Sequence, residues 1–164
     1  MTIVRACPGS EEAYMPNTWI VVADSGSARV FGTDSPSGPL EELMDFTHPE
    51  ALVNERRLVS DRAGRTTNSQ GRSHAYSSQD SPREHEARAF AKLLGDEICL
   101  ARARGDFEHL LLVAPPRFLG SLRASLDPET RKRIDKELAS DFANLSAREI
   151  LERLTEDLHF AAAH

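Results

Sequence analysis

The chain has 164 residues, of which 40% are hydrophobic and 28% are charged. This length supports one domain with a sizeable core and is short for two. The formal net charge is −6 and the isoelectric point is near 5.5, so the chain as a whole does not coat nucleic acid through its net charge. Any polyanion has to be engaged locally.

The sequence shows no signal for secretion, membrane insertion or metal binding. Its N-terminus lacks an apolar run of signal-peptide length, and no stretch approaches the roughly 18 apolar residues of a membrane helix. Cys7 and Cys99 are the two cysteines, and neither has a histidine or cysteine partner at metal-ligand spacing. The sequence therefore predicts no disulfide, no metal and no cofactor, and it favours the reducing cytoplasm.

The first third of the chain predicts an extension followed by three strands. Residues 1–17 carry no readable pattern and are predicted to be disordered. Residues 18–24 and 28–33 are rich in β-branched and aromatic side chains on either side of a Ser-Gly-Ser turn, which indicates a β-hairpin. Residues 40–47 place apolar side chains near alternate positions, which predicts a third strand at an edge of the sheet.

A basic stretch, residues 54–76, follows these strands and is called the basic segment below. It contains five arginines against one glutamate and one aspartate, a balance of +3, whereas the rest of the chain sums to −9. A connection needs only about 4–6 polar residues, so folding alone explains neither the length nor the charge. Two interpretations stay open: a solvated or disordered connection, and an anion-binding loop.

A strongly patterned helix is predicted after the basic segment. Ser81 supplies an N-cap, a proline occupies the first helical position, and Glu84 stands three residues after the cap, which together make a capping box. Apolar residues recur at helical spacing from 87 to 101, and Gly105 follows the last turn. The pattern predicts a helix over Pro82–Arg104.

The last third of the chain completes an α/β pattern. The continuous apolar run His109–Ala114 predicts a central strand buried on both faces. Further elements are predicted in the order of a helix over 118–126, a short helix from 127, a strand over 134–142, a helix over 146–158 and a tail at 159–164. Residues 134–142 fit a helix almost as well as a strand. The order β-β-β-α-β-α-β-α predicts one α/β domain over 18–158, a mixed sheet with helices on its faces in a ribonuclease H-like arrangement.

Two catalytic chemistries find weak support in these residues. Asp24 ends the first hairpin strand, where a metal nuclease of this fold carries a carboxylate, but the central strand offers no second one. Asp24 is better interpreted as a turn former that accepts backbone N–H groups. A nucleophilic hydrolase remains a further alternative, because serine, histidine and acidic side chains cluster in one region: Ser69, Ser73, His74, Asp80, Glu84 and His85. A working triad needs a base that a third group holds in place, and it needs an oxyanion hole. Closeness in sequence establishes neither.

An anion pocket is the third chemistry. Helix N-termini favour anions through their unpaired N–H groups, and guanidinium groups add bidentate contacts to phosphate. Arg65 and Arg72 could meet Glu84, His85 and the start of the long helix in such a pocket.

Four stretches taken together resemble the bacterial host-attachment family, proteins required for attachment to host cells. They are the hairpin at 18–31, the arginine-rich residues 61–76, the helix start at 80–94 and the strand and turn at 110–123. The resemblance covers about 18–158 in the same order. That family is similar to the middle domain of archaeal and eukaryotic translation release factors, in which a loop before a long helix carries Gly-Gly-Gln into the peptidyl-transferase centre.

At the comparable place this chain reads Asn68-Ser69-Gln70-Gly71. Ser69 rather than a pair of glycines directly precedes Gln70, and glycines give such a loop backbone angles that other residues avoid. The resemblance therefore implies contacts to RNA phosphates or to a tRNA end rather than peptidyl-tRNA hydrolysis. The candidate anion- or RNA-binding residues are Arg62, Arg65, Gln70, Gly71, Arg72 and His74, and Gln70 and His74 are weak catalytic candidates.

The resemblance and the charge pattern together predict a cytoplasmic, release-factor-like accessory protein whose basic loop contacts tRNA or the ribosome. Two alternatives remain open. One is a protein-interaction module that binds another protein and affects host attachment indirectly. The other is a weak hydrolase in which Gln70 or His74 orients water.

Overall fold

The computed structural model describes residues 2–5, 17–34, 38–48 and 81–162, with side chains described between residues 17 and 156 of these ranges. The strands are β1 (Thr2–Arg5), β2 (Thr18–Ala23), β3 (Ser27–Thr33), β4 (Glu41–Thr47), β5 (His109–Ala114) and β6 (Ile134–Ala139). The helices are α1 (Pro82–Arg104), α2 (Pro116–Ser125), α3 (Pro128–Arg131) and α4 (Ala147–Ala162).

The six strands of the described residues form one mixed sheet in the order β1-β4-β3-β2-β5-β6. The neighbours β1 and β4, β4 and β3, and β3 and β2 are antiparallel, whereas β5 runs parallel to both β2 and β6. The α/β class and the order β-β-β-α-β-α-β-α after β1 are confirmed, with α2 and α3 counting as one helical unit. The last helix ends at Ala162 rather than at the predicted Leu158.

Helices cover both faces of the sheet, which explains why β2 and β5 are continuous apolar runs. Successive side chains of a strand alternate between faces, so a sheet covered on both sides needs apolar residues at every position. On one face, α1 and α2 pack on a cluster that includes Trp19, Val21, Val30, Phe46, Phe90, Leu94, Ile98 and Leu122. On the other face, α4 packs on a cluster that includes Ile20, Val22, Phe31, Leu111, Phe142, Ile150 and Leu154.

The position of β4 differs from its prediction. Residues 40–47 were expected to form an edge strand, but β4 lies between β3 and β1 and pairs with both. The edge is β1, which lies within the 1–17 extension that was expected to be disordered, so that expectation fails at residues 2–5. Residues 2–5 read Thr-Ile-Val-Arg, and because the two apolar residues are adjacent, the segment lacks the alternation that identifies a half-buried strand.

An arginine fixes the start of α4 against the sheet. Arg29 of β3 donates to the backbone oxygen of Leu145 at 2.7 Å and to the Glu42 carboxylate at 2.8 Å. Its guanidinium carbon also lies 4.8 Å from the centre of the Phe31 ring. The second predicted capping box is confirmed as well, because the Ser146 N–H donates to the Glu149 carboxylate at 2.8 Å and the Glu149 N–H donates to the Ser146 hydroxyl at 3.3 Å.

The short helix α3 is capped by a carboxylate. The Thr130 N–H donates to Asp127 Oδ1 at 2.6 Å, and the Arg102 guanidinium lies 3.2 Å from Asp127 Oδ2. Hydrogen bonding from Thr130, with a smaller contribution from Arg102, lowers the pKa of Asp127 from 3.8 to about 2. Arg102 also donates to the buried Thr130 hydroxyl at 3.0 Å, so this cluster joins the end of α1 to α3.

Glycine allows α1 and α2 to approach closely at one point. A Cβ atom added at Gly95 would lie 2.7 Å from Ser125 Cβ and 3.2 Å from the Ser125 carbonyl oxygen. Real Cβ atoms do not approach other atoms this closely, so the helices would have to move apart. Gly120, within α2, has nothing within 4 Å of the same added atom and provides a matched control.

We predict that Gly95→Ala lowers the free energy of unfolding, whereas Gly120→Ala leaves it unchanged or raises it. Overpacking costs about 1–3 kcal/mol, which outweighs the roughly 1 kcal/mol that alanine gains over glycine within a helix. Thermal unfolding can be followed through the fluorescence of Trp19, the single tryptophan of the chain, which is buried against Phe107. Equal melting temperatures for the two variants would contradict the close approach.

Acid titration tests the Asp127 cap. The lowered pKa means that ionised Asp127 contributes stability fully above about pH 3.8, and that this contribution is lost as the pH falls towards about 2. We expect Asp127→Asn to melt below the wild type at neutral pH, and the difference to shrink through that window. A difference of constant size down to about pH 2 would show that charge is not involved.

Candidate functional site

The residues that flank 49–80 lie at the edge of the sheet formed by the carboxyl ends of its strands, not at the edge formed by β1. The His48 N–H, just after β4, donates to the Gly26 carbonyl in the β2–β3 turn at 2.8 Å. Because β2 and β4 run in the same direction and β5 is parallel to β2, all three end at this edge. Open α/β sheets bind ligands beyond the carboxyl ends of their strands. A ligand site is therefore expected at this edge.

The long helix α1 begins in the predicted capping box. The Glu84 N–H donates to the Ser81 hydroxyl at 3.3 Å, and the Ser81 N–H donates to Glu84 Oε2 at 3.1 Å. Pro82 occupies the first helical position, as predicted. The protein therefore satisfies part of this helix terminus itself, which leaves fewer N–H groups for an external anion.

The second oxygen of the same carboxylate reaches a neighbouring helix. Glu84 Oε1 lies 3.3 Å from the Arg117 guanidinium in the first turn of α2. The Arg117 side chain is 94% exposed and that of Glu84 is 45% exposed. This ion pair joins the starts of α1 and α2 at the edge where β5 ends.

Aromatic contacts fix the other flank of the same edge. The centre of the His48 ring lies 5.5 Å from that of Phe90 in α1, and the Phe90 ring lies 5.8 Å from that of Phe118 in α2. His48 Nδ1 is buried without a hydrogen-bond partner among the described residues. His48 and Ser81, which flank 49–80, are therefore both held by the layer that α1 and α2 form.

Asp24 serves as a turn former, as expected. Its Oδ1 accepts the N–H groups of Gly26 and Ser27, each at 2.7 Å. Within the described residues, no group of three or more histidine, cysteine or acidic side chains is arranged to hold a metal ion. Cys99 is a free thiol and is half-buried, while Cys7 lies outside the described residues.

Most of the site residues predicted from the sequence lie outside the described residues, namely Arg62, Arg65, Ser69, Gln70, Gly71, Arg72, Ser73, His74 and Asp80. Of the others, Glu84 is engaged by the cap and by Arg117, and His85 is exposed in the first turn of α1. The assignment of the anion site to the basic segment stays a prediction.

Sequence reasoning missed Arg117. Its partner Glu84 is 33 residues away along the chain, so no local pattern joins the two. A signal was nevertheless present, because a cation directly follows the Pro-Pro pair that ends a buried strand. The first turn after a parallel strand is a common position for a ligand-binding side chain.

Comparison with known proteins identifies a family over most of the chain. Residues 19–154 match the family described as protein required for attachment to host cells. Among curated proteins, none matches the chain. None of the helices in the described part of the chain is long and apolar enough to cross a bilayer.

Among solved structures, the chain is similar to the crystal structure of an archaeal translation termination factor, aRF1. The identity is 12% and the TM-score is 0.37, over 89% of this chain and 39% of that one. The chain thus matches well under half the length of that factor, and a likeness this distant does not bear on function. The family match, in contrast, covers most of the chain, because residues 19–154 run from β2 into α4. The chain belongs to the family of proteins required for attachment to host cells.

Proposed function

We propose that this host-attachment family protein is a cytoplasmic, release-factor-like accessory protein that contacts RNA, as tRNA or on the ribosome, through its basic segment. The observation that carries the proposal is the separation of charge: the segment is +3, whereas the rest of the chain is −9. An acidic surface repels RNA, so a polyanion that binds this chain is drawn to places where positive charge is concentrated, as it is in the basic segment.

The proposal is supported by the positions of the two described residues on either side of 49–80. His48 and Ser81 are held at the edge where β2, β4 and β5 end. Arg117, which is 94% exposed, adds a cation at the same edge. An RNA strand that binds at this edge would meet Arg117 of the folded domain, close to the described residues on either side of 49–80.

The roles within the segment follow from side-chain chemistry. Arg62, Arg65 and Arg72 contact phosphates, since guanidinium groups match phosphate in shape and charge. Gln70, Gly71 and His74 lie at the place that resembles the release-factor loop, and they contact the tRNA end. Phosphate contacts dominate the affinity, which therefore falls steeply with salt.

Binding to fluorescently labelled tRNA, measured by anisotropy at two salt concentrations, tests the proposal. If three arginines each neutralise one phosphate, affinity falls roughly 20- to 40-fold when salt rises about fourfold. Arg65→Ala and Arg72→Ala should each weaken binding and reduce the salt slope by about 1. Neither substitution should change the melting temperature.

Arg148→Ala is the matched control for these variants. Arg148 lies on α4, on the opposite face of the sheet from α1 and α2, and its side chain is 88% exposed beside Glu152. This change removes one positive charge without touching the proposed site, so its binding should stay near that of the wild type. Absence of wild-type binding even at low salt, or equal loss in all three variants, would contradict the proposal.

A protein-interaction module is the second candidate, and one observation favours it. Leu93 and Leu100 of α1 are exposed by 42% and 53%, and they lie two helical turns apart on one side of the helix. Co-sedimentation with ribosomes separates the two candidates, because only RNA contact predicts salt-sensitive pelleting. A peptide-release assay with Gln70→Ala addresses the remaining hydrolase alternative, which requires measurable release by the wild type and its loss in the variant.

A further inference from the structure

We propose that two copies of this chain associate weakly and reversibly through α1, with the two α1 helices side by side and parallel about a twofold axis. The contact surface, called the α1 seam below, consists of five exposed residues: Ala89, Leu93, Asp96, Leu100 and Ala103. The proposal does not depend on RNA contact, because none of the seam residues belongs to the candidate site described above.

Two leucines form the apolar part of the α1 seam. Leu93 and Leu100 are 42% and 53% exposed, and they are the exposed large hydrophobic residues of the described part of the chain. They are seven residues apart, so they lie two turns apart on one side of the helix. Single exposed leucines are common on protein surfaces, whereas apolar side chains aligned along a helix are typical of a contact surface.

The spacing of the α1 seam is that of a two-stranded coiled coil. Its residues follow one another at intervals of four, three, four and three, as the a and d positions of heptads do. The leucines take the a positions, and the d positions hold Ala89, Asp96 and Ala103. Ala91 and Ile98 are buried and lie on the other side of α1. A second helix can therefore lie along the seam without displacing the sheet.

Charged residues beside the α1 seam favour the parallel orientation. Lys92 directly precedes Leu93 and Glu97 directly follows Asp96, so the two charges take the g and e positions on opposite sides of the seam. In a parallel pair of helices, g and e residues of the two copies form ion pairs. Lys92 of one copy then meets the partner's Glu97, and twofold symmetry makes this contact twice.

An antiparallel pair would bring like charges together instead. With Leu93 opposite the partner's Leu100, the midpoint of the contact falls between Asp96 and Glu97. The carboxylates of both residues from both copies would then meet at this midpoint, where like charges repel. Charge complementarity therefore selects the parallel arrangement.

Asp96 keeps the association weak. In the parallel pair it faces the partner's Asp96, and a polar residue at a core position of a coiled coil lowers the stability of the pair. The Lys92 ammonium lies 3.1 Å from the Asp96 carboxylate of the same helix, with side chains 71% and 55% exposed, and it offsets part of this repulsion. We therefore expect a dimer that forms at high protein concentration and separates on dilution.

Sedimentation equilibrium of the full chain over a range of protein concentrations tests the association. The average mass should rise from the 18.2 kDa of one chain towards twice that value. Leu100→Lys should hold the mass at that of the monomer, because it places a charge in the apolar part of the seam, and Asp96→Leu should tighten the dimer. A wild type that stays monomeric at about 1 mM protein, or an equally strong dimer in Leu100→Lys, would overturn the inference.

Charge-swap variants test the parallel orientation. Lys92→Glu alone and Glu97→Lys alone each place like charges at both g–e contacts. Each variant should dimerise more weakly than the wild type, with a Kd raised by roughly 2- to 30-fold, the range that corresponds to two exposed ion pairs. An equimolar mixture of the two variants restores opposite charges at both contacts, so it should form a heterodimer with a Kd near that of the wild type. A mixture that associates no better than each variant alone would contradict the parallel arrangement.

A matched ion pair on α4 controls for the change of charge. Arg148 and Glu152 lie 3.1 Å apart, with side chains 88% and 61% exposed. Arg148→Glu changes the net charge by as much as Lys92→Glu does, yet it should leave the dimer unchanged. Melting temperatures of the seam variants near that of the wild type would show that the weaker association does not come from unfolding. An equal loss of dimer in Arg148→Glu would show an effect of net charge alone and would contradict the proposed contact.

Discussion

The capping of α1 by Ser81 and Glu84 is the constraint on which the candidate site depends. One carboxylate holds the N–H of Ser81 with one oxygen and the Arg117 guanidinium with the other. The residue at which the chain returns from 49–80 is thereby tied to the starts of both α1 and α2. Because Glu84 both caps α1 and pairs with Arg117, it links the structure of the helix start to the charge of the surface around it.

Beneath this edge, α1 and α2 pack closely against each other. Gly95 lets α1 approach Ser125 of α2 closely, and Phe90 contacts both His48 and Phe118. Sites carried by rigid elements hold their side chains more accurately than sites on loops alone. The acidic remainder of the chain adds long-range repulsion of RNA, which is screened beyond about 10 Å at moderate salt. Local contacts at the edge then decide where a polyanion binds.

The sequence predicted the elements whose signals are local. Ser81 and Gly105 bound α1 correctly, because capping depends on neighbours within one turn. The inner position of β4 was missed, since it depends on β1, a strand more than thirty residues earlier in the chain. The contacts at Gly95 and at Arg117 were missed for a related reason, because both depend on tertiary packing between helices. The charge of the basic segment was visible in the composition, but its contacts cannot be read from it.

Cross-linking of the full-length protein to RNA by ultraviolet light in cells tests the central claim most directly, with the cross-linked peptides identified by mass spectrometry. The account predicts adducts in peptides from the basic segment and in the peptide that contains Arg117, at the edge where β5 ends. It also predicts that adducts are absent from peptides of α4, on the other face of the sheet. Recovery of the protein without RNA adducts, or with adducts confined to α4, would contradict it.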